Sequence, residues 1–554
     1  MSKAFGQQTP TQGEDAVSWQ TFSDGAGGIP NTTVDIDWGK LSLQTAGAEG
    51  RSAVYDLGAS RTRKFKLTEN RYGNGSGSAV LQIRGSTTIF TQDDTVVDWE
   101  TYTAPVEHDW QWVQVRETTY VYYYVDATLG DDGNPGTRAL PWQTITKVNA
   151  AALNPGDHVL FKRGETFAGR LYPLTSGSAS QFIVYGAYGS GNRPIIDGSG
   201  NSALVVESPV HYLRYEHIDF NGTSVAGSHT VRYYSDNGYF YDCIFQGALG
   251  DPWGCGFTAH TDTGVELYNI TIDTCQAYSN YSSGISIGSD TGAGGPHDCL
   301  VTNCIAHDNG HSTSADHGIY VRHGVVIDKC TSYTNTSGGF KVNCEGVQDS
   351  PYKPIIKNCT SYDNRYGIIA NNIDAIIYNN LVYGCSYTAI QIGADSDNNL
   401  IYFNTFSNCT AGNALVEVNG NPASAIIKNN IFVQDHEIYD KGWLATVGAL
   451  TLEEVIAANT FDYNIYFHNA LGDGHGFLDS TNHTFAVWQG LGADTNSTLL
   501  VVDPEFVARY TDYHPADAGN LKALGLAISG YGFDQDGNNR ADPPTPGCYE
   551  ESAP

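Results

Sequence analysis

The sequence repeats one short pattern four times, as IDTC at 272–275, VTNC at 301–304, IDKC at 327–330 and IKNC at 356–359. The interval between copies falls in the range of roughly 20–50 residues that is typical of stacked repeats. Other small or polar residues extend the column in both directions: His217, Cys243, Asn380, Asn404 and Asn430. The spacing predicts a parallel β-helix in which each repeat forms one coil.

Each copy is followed by a turn and then by a short alternating segment. These segments are GISI at 284–287, GIYV at 318–321, GGFKV at 338–342, GIIA at 367–370 and AIQI at 389–392. Alternation in a strand sends successive side chains to opposite faces. Parallel strands lie about 4.8 Å apart, so equivalent side chains of successive coils are expected to stack in columns.

Composition excludes several classes of protein. The chain has 554 residues and a formal net charge of −31, which argues against general nucleic-acid binding because phosphate contacts need a surplus of Lys and Arg. No apolar run approaches the 18 or so residues that a membrane span needs. We interpret the eleven cysteines as reduced thiols, since four of them stack inside the repeats.

The chain divides into four regions. Residues 1–16 are expected to be disordered, and 17–118 hold short alternating segments such as TVDIDW, AVLQIRG and WQWVQV, which predict an antiparallel β-sandwich. Residues 119–467 form the β-helix, capped by a short helix near KVNAAAL, and 468–554 form C-terminal coils and a cap. The fold class is therefore all-β.

The predicted sandwich is rich in tryptophan. Its five tryptophans fit either aromatic platforms of a carbohydrate-binding module or the core of the sandwich, and we favour the core because Trp110 and Trp112 alternate as buried strand residues do. The five are Trp19, Trp38, Trp99, Trp110 and Trp112.

Two ends of the predicted β-helix resemble a known superfamily. YVDATLGDDGNPGTRALPWQTI at 124–145, NPGDHVLFKRGETFAG at 154–169, GSGNRPIIDGSG at 189–200 and DQDGNNR with GCYE near the C-terminus are similar to the entry and exit of right-handed parallel β-helices of the pectate-lyase-like superfamily. With the predicted N-terminal sandwich and the acidic composition, the chain is most similar to phage tailspike depolymerases. The resemblance covers about residues 120–550.

This resemblance implies a protein that binds and cleaves a polysaccharide. It also implies a homo-oligomer, expected to be a trimer, and an extracellular or virion-associated location. The start, MSKAFGQQTPTQGED, has no apolar segment of a secretory signal peptide, so we expect export by another route or release by lysis.

The outward columns suggest an active groove. Aligning the glycines of GIYVRH and GGFKVN places Tyr320 beside Lys341 and Arg322 beside Asn343. Long loops at 289–298, 306–317 and 345–354 would wall this face, and such loops on a rigid scaffold often carry function. The residues that we predict to bind substrate are His260, His311, Asn343, Asn371 and Gln391.

Two chemistries fit these residues. In a β-elimination lyase, Lys341 would act as the base, because the neighbouring Arg322 disfavours its charged form, and Arg322 would stabilise the substrate carboxylate. Tyr320 or His317 would be the acid. This arrangement resembles the Lys and Arg pairing of some β-helix alginate and pectate lyases, and we favour it slightly.

The alternatives are a hydrolase and a protein without catalysis. A glycoside hydrolase would need two carboxyl groups around the scissile bond, and the candidates are Asp290, Asp308 and Asp316, with Asp262 and Glu266 one coil earlier. A glycan-binding adhesin or structural virion protein would use the same face for binding only. We predict no metal ligands, with calcium left open by the sequence DQDGN at 534–538, which we interpret as a turn.

Overall fold

The computed structural model describes residues 121–550 except for several segments, and within 31–120 it describes the backbone of the strands. The excepted segments are 223–224, 226–227, 251–252, 262–266, 290–295, 312–315, 344–351, 372–373, 394–397, 410–414, 419–423, 435–451, 469–474, 479–481, 501–503, 505, 509–511 and 517–519. Contacts divide the chain into two units, one formed mainly by 1–124 and the other mainly by 159–554 with 125–134 and 141–155.

Three long sheets make up the larger unit, and we name them in the order in which each coil visits them. Sheet I has the strands Tyr122–Val125, His158–Lys162, Ile183–Tyr188, Leu213–Glu216, Gly238–Tyr241, Ile270–Asp273, His297–Thr302, Gly324–Asp328, Ile355–Lys357, Ile376–Tyr378, Leu400–Tyr402, Ile426–Lys428 and Thr460–Asp462. Sheet II has Thr166–Ala168, Ile195–Asp197, Asp219–Asn221, Ile244–Gln246, Gln276–Tyr278, Ile305–His307, Thr331–Tyr333, Thr360–Tyr362, Leu381–Tyr383, Thr405–Ser407, Ile431–Gln434, Ile465–His468 and Thr498–Leu500.

Sheet III has nine strands and carries the face predicted to be functional. Its neighbouring strands pair in parallel through the central coils. A strand of sheet I, one of sheet II and one of sheet III follow each other in every central coil, which is the architecture of a parallel β-helix. The strands are Leu204–Glu207, Val231–Tyr234, Phe257–Thr261, Ile285–Ser289, Ile319–Val321, Gly338–Asn343, Tyr366–Asn371, Thr388–Ile392 and Val416–Val418.

Apolar side chains from the three sheets fill the inside of the coils. Ile319, Val321, Phe340 and Val342 are fully buried, as the alternation of GIYV and GGFKV predicted. Nearer the N-terminus, interior positions of sheet I hold aromatic rings, and Tyr215 stacks between Tyr185 and Phe240. Because each coil lies directly on the next, like side chains pack on like and the core runs along the axis.

The cysteine column forms the turn between sheets I and II. The backbone N–H of Cys243 donates to Sγ of Cys275 at 3.3 Å, and the N–H of Cys359 donates to Oδ1 of Asn380 at 2.9 Å. Asn404, Asn430 and Asn464 continue the column with the same bond from one coil to the next. The ten described cysteines are all buried and none of them forms a disulfide, in agreement with reduced thiols in this part of the chain.

The prediction for His217 is wrong by one residue. His217 has a positive φ of 59°. Asp242 and Thr274 also have positive φ, and each of them lies one residue before a member of the column. Ile218 occupies the column position instead, because its carbonyl accepts from the N–H of Ile244 as that of Cys243 accepts from Gln276. An apolar residue therefore precedes Cys243 in the column.

A second column, of asparagines, forms the turn between sheets II and III and was missed from the sequence. The side chains of Asn280, Asn309, Asn335 and Asn364 are buried and bond to one another, with Nδ2 of each donating to Oδ1 of the next at 2.9–3.0 Å. The glycines before each strand of sheet III leave room for it, since a Cβ at Gly256 would lie 2.6 Å from Nδ2 of Asn280. The column fixes the corner from which the functional face begins.

Short helices lie near both described ends of the β-helix. A short helix, Ile145–Asn149, begins after Thr144, whose side chain accepts from the N–H of Lys147, and it buries Ile145 and Val148. Two further helices, Leu452–Ala458 and Phe485–Gly490, and the paired strands His475–Leu478 with Asn482–Thr484 and Phe506–Ala508 with Asp512–Pro515 lie near the C-terminus.

The C-terminal segment packs on the turns between sheets I and II. The N–H of Leu526 donates to Oδ1 of Asn429 at 2.8 Å, and Nη2 of Arg540 donates to Oδ1 of Asn379 at 2.9 Å. The N–H of Cys548 donates to the Thr405 hydroxyl at 3.1 Å. The chain end thus lies along several earlier coils.

The smaller unit contains two antiparallel sheets. One has Asn31–Ile36, Gly39–Gln44, Arg63–Asn70 and Val106–His108, and the other has Glu49–Arg51, Tyr55–Asp56, Ser78–Ser86, Glu100–Thr101 and Trp112–Tyr120. The side chains of the five tryptophans lie outside the described residues, as does segment 1–16. No helix in the described part of the chain is long and apolar enough to cross a membrane.

Candidate active site

Two outward columns run along sheet III, and the observed register confirms the alignment made from the sequence. Tyr320 pairs with Lys341, and Asn343 pairs with Asn371. Column 1, defined here as the outward position at the middle of each strand, contains Arg232, Thr258, Ser286, Tyr320, Lys341, Ile369, Gln391 and Glu417. Column 2, two residues further along each strand, contains Tyr234, His260, Gly288, Arg322, Asn343, Asn371 and Gly393.

Tyr320 is the centre of a compact polar cluster. Its hydroxyl accepts hydrogen bonds from Nε of Arg322 at 3.0 Å and from Nδ2 of Asn343 at 3.4 Å. The guanidinium carbon of Arg322 lies 5.3 Å from the centre of the Tyr320 ring, and Nζ of Lys341 lies 5.1 Å from it. Two successive coils therefore bring two cations and a phenol to one point, although Tyr320 and Lys341 lie 21 positions apart in sequence.

A glycine makes room for Arg322. In the preceding coil, a Cβ at Gly288 would lie 2.8 Å from Cδ and 3.1 Å from Cγ of Arg322. The arginine stem lies over this glycine and the guanidinium turns back over Tyr320. The guanidinium of Arg322 can take this position because Gly288 has no side chain.

His317 lies at the corner where the strand Ile319–Val321 begins, in edge-to-face contact with Tyr320 at 5.6 Å. The side chain is only 1% exposed, and its Nδ1 accepts from the N–H of Gly338 at 3.0 Å, which places the proton on Nε2. Burial lowers the pKa of His317 well below its ordinary value, and the charge of Lys341 acts in the same direction. A buried neutral imidazole is a poor acid, so the geometry favours Tyr320 over His317 for that role.

We expect the neutral state of His317 to make the protein less stable in acid. The unfolded imidazole binds a proton near pH 6.5 while the folded one does not, so the free energy of unfolding should fall as the pH drops below about 6.5, by up to about 1.4 kcal/mol per pH unit for this group. Apparent Tm measured from pH 8 to pH 4 should show a smaller acid decrease for His317→Gln than for wild type. The exposed His311→Gln serves as control, and equal decreases in all three proteins would contradict the expectation.

Two buried amide oxygens lie side by side near Arg322. Oδ1 of Asn343 and Oδ1 of Asn371 have no hydrogen-bond partner among the described residues, and Asn343 is only 5% exposed. Adjacent coils place these two acceptors in column 2 at the spacing of neighbouring strands. Buried acceptors without partners are unusual and are suited to the hydroxyl groups of a ligand. This placement agrees with the substrate-binding role predicted for both residues.

The other predicted residues fall in different places. Asp316 is buried, and its carboxylate accepts from the N–H of His311 at 3.0 Å, so it shapes the turn. His311 stacks on Tyr281 at 4.7 Å along the corner between sheets II and III. His260 occupies column 2 opposite Gly288. Asp290 lies outside the described residues.

A second polar cluster on sheet III was missed by the sequence reasoning, apart from Gln391. It contains Arg365, Tyr366, Tyr387, Thr388 and Glu417, and it follows Lys341 toward the C-terminus. The signal in the sequence was the outward Glu417 of the segment VEV, in register with AIQI. Tyr366 is the first residue of its strand and Tyr387 directly precedes the next strand, so strand alternation gives little indication of their direction.

The described residues contain no group of three or more His, Cys, Asp or Glu side chains arranged to hold a metal ion. At the turn 534–538, the carboxylate of Asp534 accepts from the backbone N–H groups of Asn538 and Glu550 at 2.7 and 3.0 Å. Asp534 thus accepts hydrogen bonds from its own turn and from the backbone of Glu550.

Comparison with known families supports the fold that the three sheets show. Residues 292–451 match the family described as "Right handed beta helix region". The observed strands continue the same architecture on both sides of that range. The three stacked sheets therefore form a parallel β-helix, and residues 292–451 of it match the right-handed family.

Several solved structures share features of this fold. The lacto-N-biosidase from Eubacterium ramulus has a TM-score of 0.44 and 16% identity over 57% of this chain, and this chain spans 64% of its length. A rhamnogalacturonan lyase has a TM-score of 0.41 and 21% identity, covering 62% of this chain and 87% of the other. The alginate lyase from Paenibacillus sp. has a TM-score of 0.35 and 18% identity, covering 58% and 99%. No curated protein sequence matches the chain significantly.

Proposed function

We propose that the protein is a polysaccharide lyase that cleaves an acidic polysaccharide lying along sheet III. The convergence of Lys341 and Arg322 on Tyr320 is the observation that carries the proposal. Elimination next to a uronate needs a base, a positive charge near the carboxylate and an acid at the leaving oxygen. These three types of group meet in one cluster.

Each residue has a distinct task in the proposed reaction. Lys341, as a neutral amine, removes the proton from the carbon next to the uronate carboxylate, and Arg322 stabilises the negative charge that develops on that carboxylate. The electron pair forms a carbon–carbon double bond as the bond to the leaving glycosidic oxygen breaks. Tyr320 gives its proton to that oxygen. The hydroxyl oxygen of Tyr320 accepts hydrogen bonds from Arg322 and Asn343, so the hydroxyl proton remains available for donation to the leaving oxygen.

The described carboxylates favour elimination over hydrolysis. Among the described strands of sheet III, only two residues carry a carboxylate. These are Glu207 in the first strand and Glu417 in the last. Eight strand spacings of about 4.8 Å separate them by roughly 38 Å, whereas paired glycosidase carboxyls lie about 5–9.5 Å apart. Among described residues the hydrolase candidate Asp316 is buried in its turn.

A spectroscopic assay tests the proposal. Purified protein is incubated with polygalacturonate, alginate, gellan, hyaluronan and a neutral glucan, and both the absorbance of a conjugated double bond and the release of reducing ends are followed. We expect the two signals to rise together for at least one acidic polymer. Reducing ends without absorbance would indicate a hydrolase, and binding without either signal would indicate an adhesin.

Gly288→Ala should weaken the site without contact to substrate. The added methyl group would displace Arg322 from Tyr320, and because the displaced atoms belong to a flexible side chain, the fold should be kept. We expect kcat/KM to fall about tenfold, as expected for loss of roughly 1.4 kcal/mol of transition-state stabilisation. Gly532→Ala, where a Cβ meets nothing within 4 Å, is the matched control and should retain full activity.

We also propose the wider assignment suggested by the resemblance to tailspikes. In it, the protein is a virion-associated or extracellular trimer, and the two N-terminal antiparallel sheets form a β-sandwich. Sedimentation equilibrium of the full chain measures the first point directly. A mass close to 59.8 kDa, that of one chain, would remove the trimer.

A further inference from the structure

The second polar cluster lies on the same face as the proposed catalytic cluster. In column 1, Lys341 is followed by Ile369, Gln391 and Glu417 in successive strands. Gln391 is therefore about 10 Å and Glu417 about 14 Å from Lys341 along the axis, at about 4.8 Å per strand. A polymer lying along the columns from Lys341 toward the C-terminus would pass over both side chains.

Glu417 is a buried carboxylate with few partners. Glu417 is only 6% exposed. Among the described side chains, only Gln391 and Thr388 form hydrogen bonds with its carboxylate. Nε2 of Gln391 lies 3.0 Å from Oε2, and the Thr388 hydroxyl lies 3.5 Å from the same oxygen. A carboxylate offers about four acceptor positions, so this one retains acceptor capacity for further donors. These open acceptor positions suit the hydroxyl groups of a ligand.

Two tyrosines and an arginine flank Glu417. The guanidinium carbon of Arg365 lies 5.2 Å from the ring centres of both Tyr366 and Tyr387. The two rings are 5.0 Å apart and inclined at 56°. Burial raises the pKa of Tyr366, and the charge of Arg365 partly opposes this. Tyrosine supplies an apolar ring and a polar tip, and arginine supplies a planar set of donors, which together suit a sugar with apolar and hydroxylated sides.

We propose that this cluster is a second sugar-binding subsite that takes an uncharged, hydroxyl-rich sugar, so that the substrate is a heteropolysaccharide with acidic and neutral units in one chain. The inference rests on the proposed function and specifies its substrate. Hydroxyl groups donate to the Glu417 carboxylate, whereas a uronate carboxylate at the same place would be repelled by it. The acidic unit binds at Arg322 and Lys341.

Binding of two polymers to the full chain tests the subsite. Gellan carries one uronate among the neutral sugars of each repeat, while every unit of polygalacturonate is a uronate. Calorimetry should give tighter binding of gellan. Glu417→Gln keeps the shape but removes the charge, and it should raise the Kd for gellan about tenfold, as for loss of one hydrogen bond to a charged group. Binding of polygalacturonate should not weaken, because the substitution removes the repulsion between Glu417 and a uronate.

Matched variants keep the result decisive. Glu207→Gln removes the carboxylate at the opposite end of sheet III and should leave both affinities unchanged, while Tyr387→Leu should also weaken gellan. Equal losses for both polymers in Glu417→Gln, wild-type protein that binds polygalacturonate more tightly than gellan, or no binding of gellan would overturn the subsite.

The same measurements separate this subsite from the lyase proposal. Binding of gellan that depends on Glu417, without any absorbance change, removes the lyase and leaves the subsite. Elimination that depends on Lys341 but is insensitive to Glu417→Gln on gellan removes the subsite and leaves the lyase.

Discussion

Lys341→Arg is expected to lower kcat on the polymer that wild type cleaves by about a thousandfold while changing its Kd less than threefold. General base catalysis contributes about 10²–10⁴ to rate, and arginine cannot lose its proton at neutral pH. The substitution retains the positive charge beside Tyr320, so contacts with the substrate carboxylate remain. Initial rates of absorbance increase, together with calorimetric binding, measure the two quantities separately.

The control and a companion variant sharpen this test. Lys357→Ala removes a lysine in the next coil, on the strand Ile355–Lys357 of sheet I, where its Nζ lies 3.4 Å from Asp328. It should leave kcat unchanged. Lys341→Ala should lose both kcat and affinity, because charge and amine go together. Activity of Lys341→Arg close to wild type would show that Lys341 is only an electrostatic contact and that the base lies elsewhere.

Asn335→Ala is expected to destabilise the β-helix by about 3–5 kcal/mol, because removal of this amide leaves several buried groups without partners. Oδ1 of Asn335 accepts from the backbone N–H and from Nδ2 of Asn309 at 3.1 and 2.9 Å. Nδ2 of Asn335 donates to the Ala306 carbonyl at 3.1 Å and to Oδ1 of Asn364 at 3.0 Å. Since the coils are stacked, the loss affects both neighbours.

Scanning calorimetry and urea titration provide the measurement, with apparent Tm and transition midpoint as readouts. Asn192→Ala is the matched control, since Asn192 is exposed and makes only a backbone contact, from its carbonyl to the N–H of Gly164. We expect the midpoint to fall for Asn335→Ala alone. Similar midpoints for the two variants would show that water or a shifted backbone replaces the lost bonds.

Local patterns in the sequence predicted most of the large unit. Alternation in GIYV and GGFKV correctly assigned the buried positions, and alignment of their glycines gave the register that pairs Tyr320 with Lys341. Both depend on neighbours in the chain and on a regular repeat, so they can be read without coordinates. The error at His217 arose because a left-handed residue precedes each column position, and sequence alone does not show which of two polar or apolar neighbours adopts it.

Side-chain direction at the corners was beyond the sequence. His317 is buried against Gly338, and the Asp316 carboxylate accepts a hydrogen bond from the N–H of His311. Both side chains point inward because of the turn before the strand. The burial of His317 and the hydrogen bond of Asp316 do not follow from the spacing of residues in the sequence, since side chains in turns do not alternate between two faces. The same applies to the asparagine column, whose members are joined only when successive coils are stacked.

The sequence by itself determined that this chain stacks parallel coils, which residues fill the core and which face carries Tyr320, Arg322 and Lys341, since these follow from a strict period and the two-sided geometry of a strand. Only the tertiary structure decided that Arg322 bends back over Gly288 toward Tyr320, and that Glu417 joins Gln391 near the tyrosines of earlier coils. These contacts depend on the space that each neighbouring coil leaves, which is a property of the packed molecule.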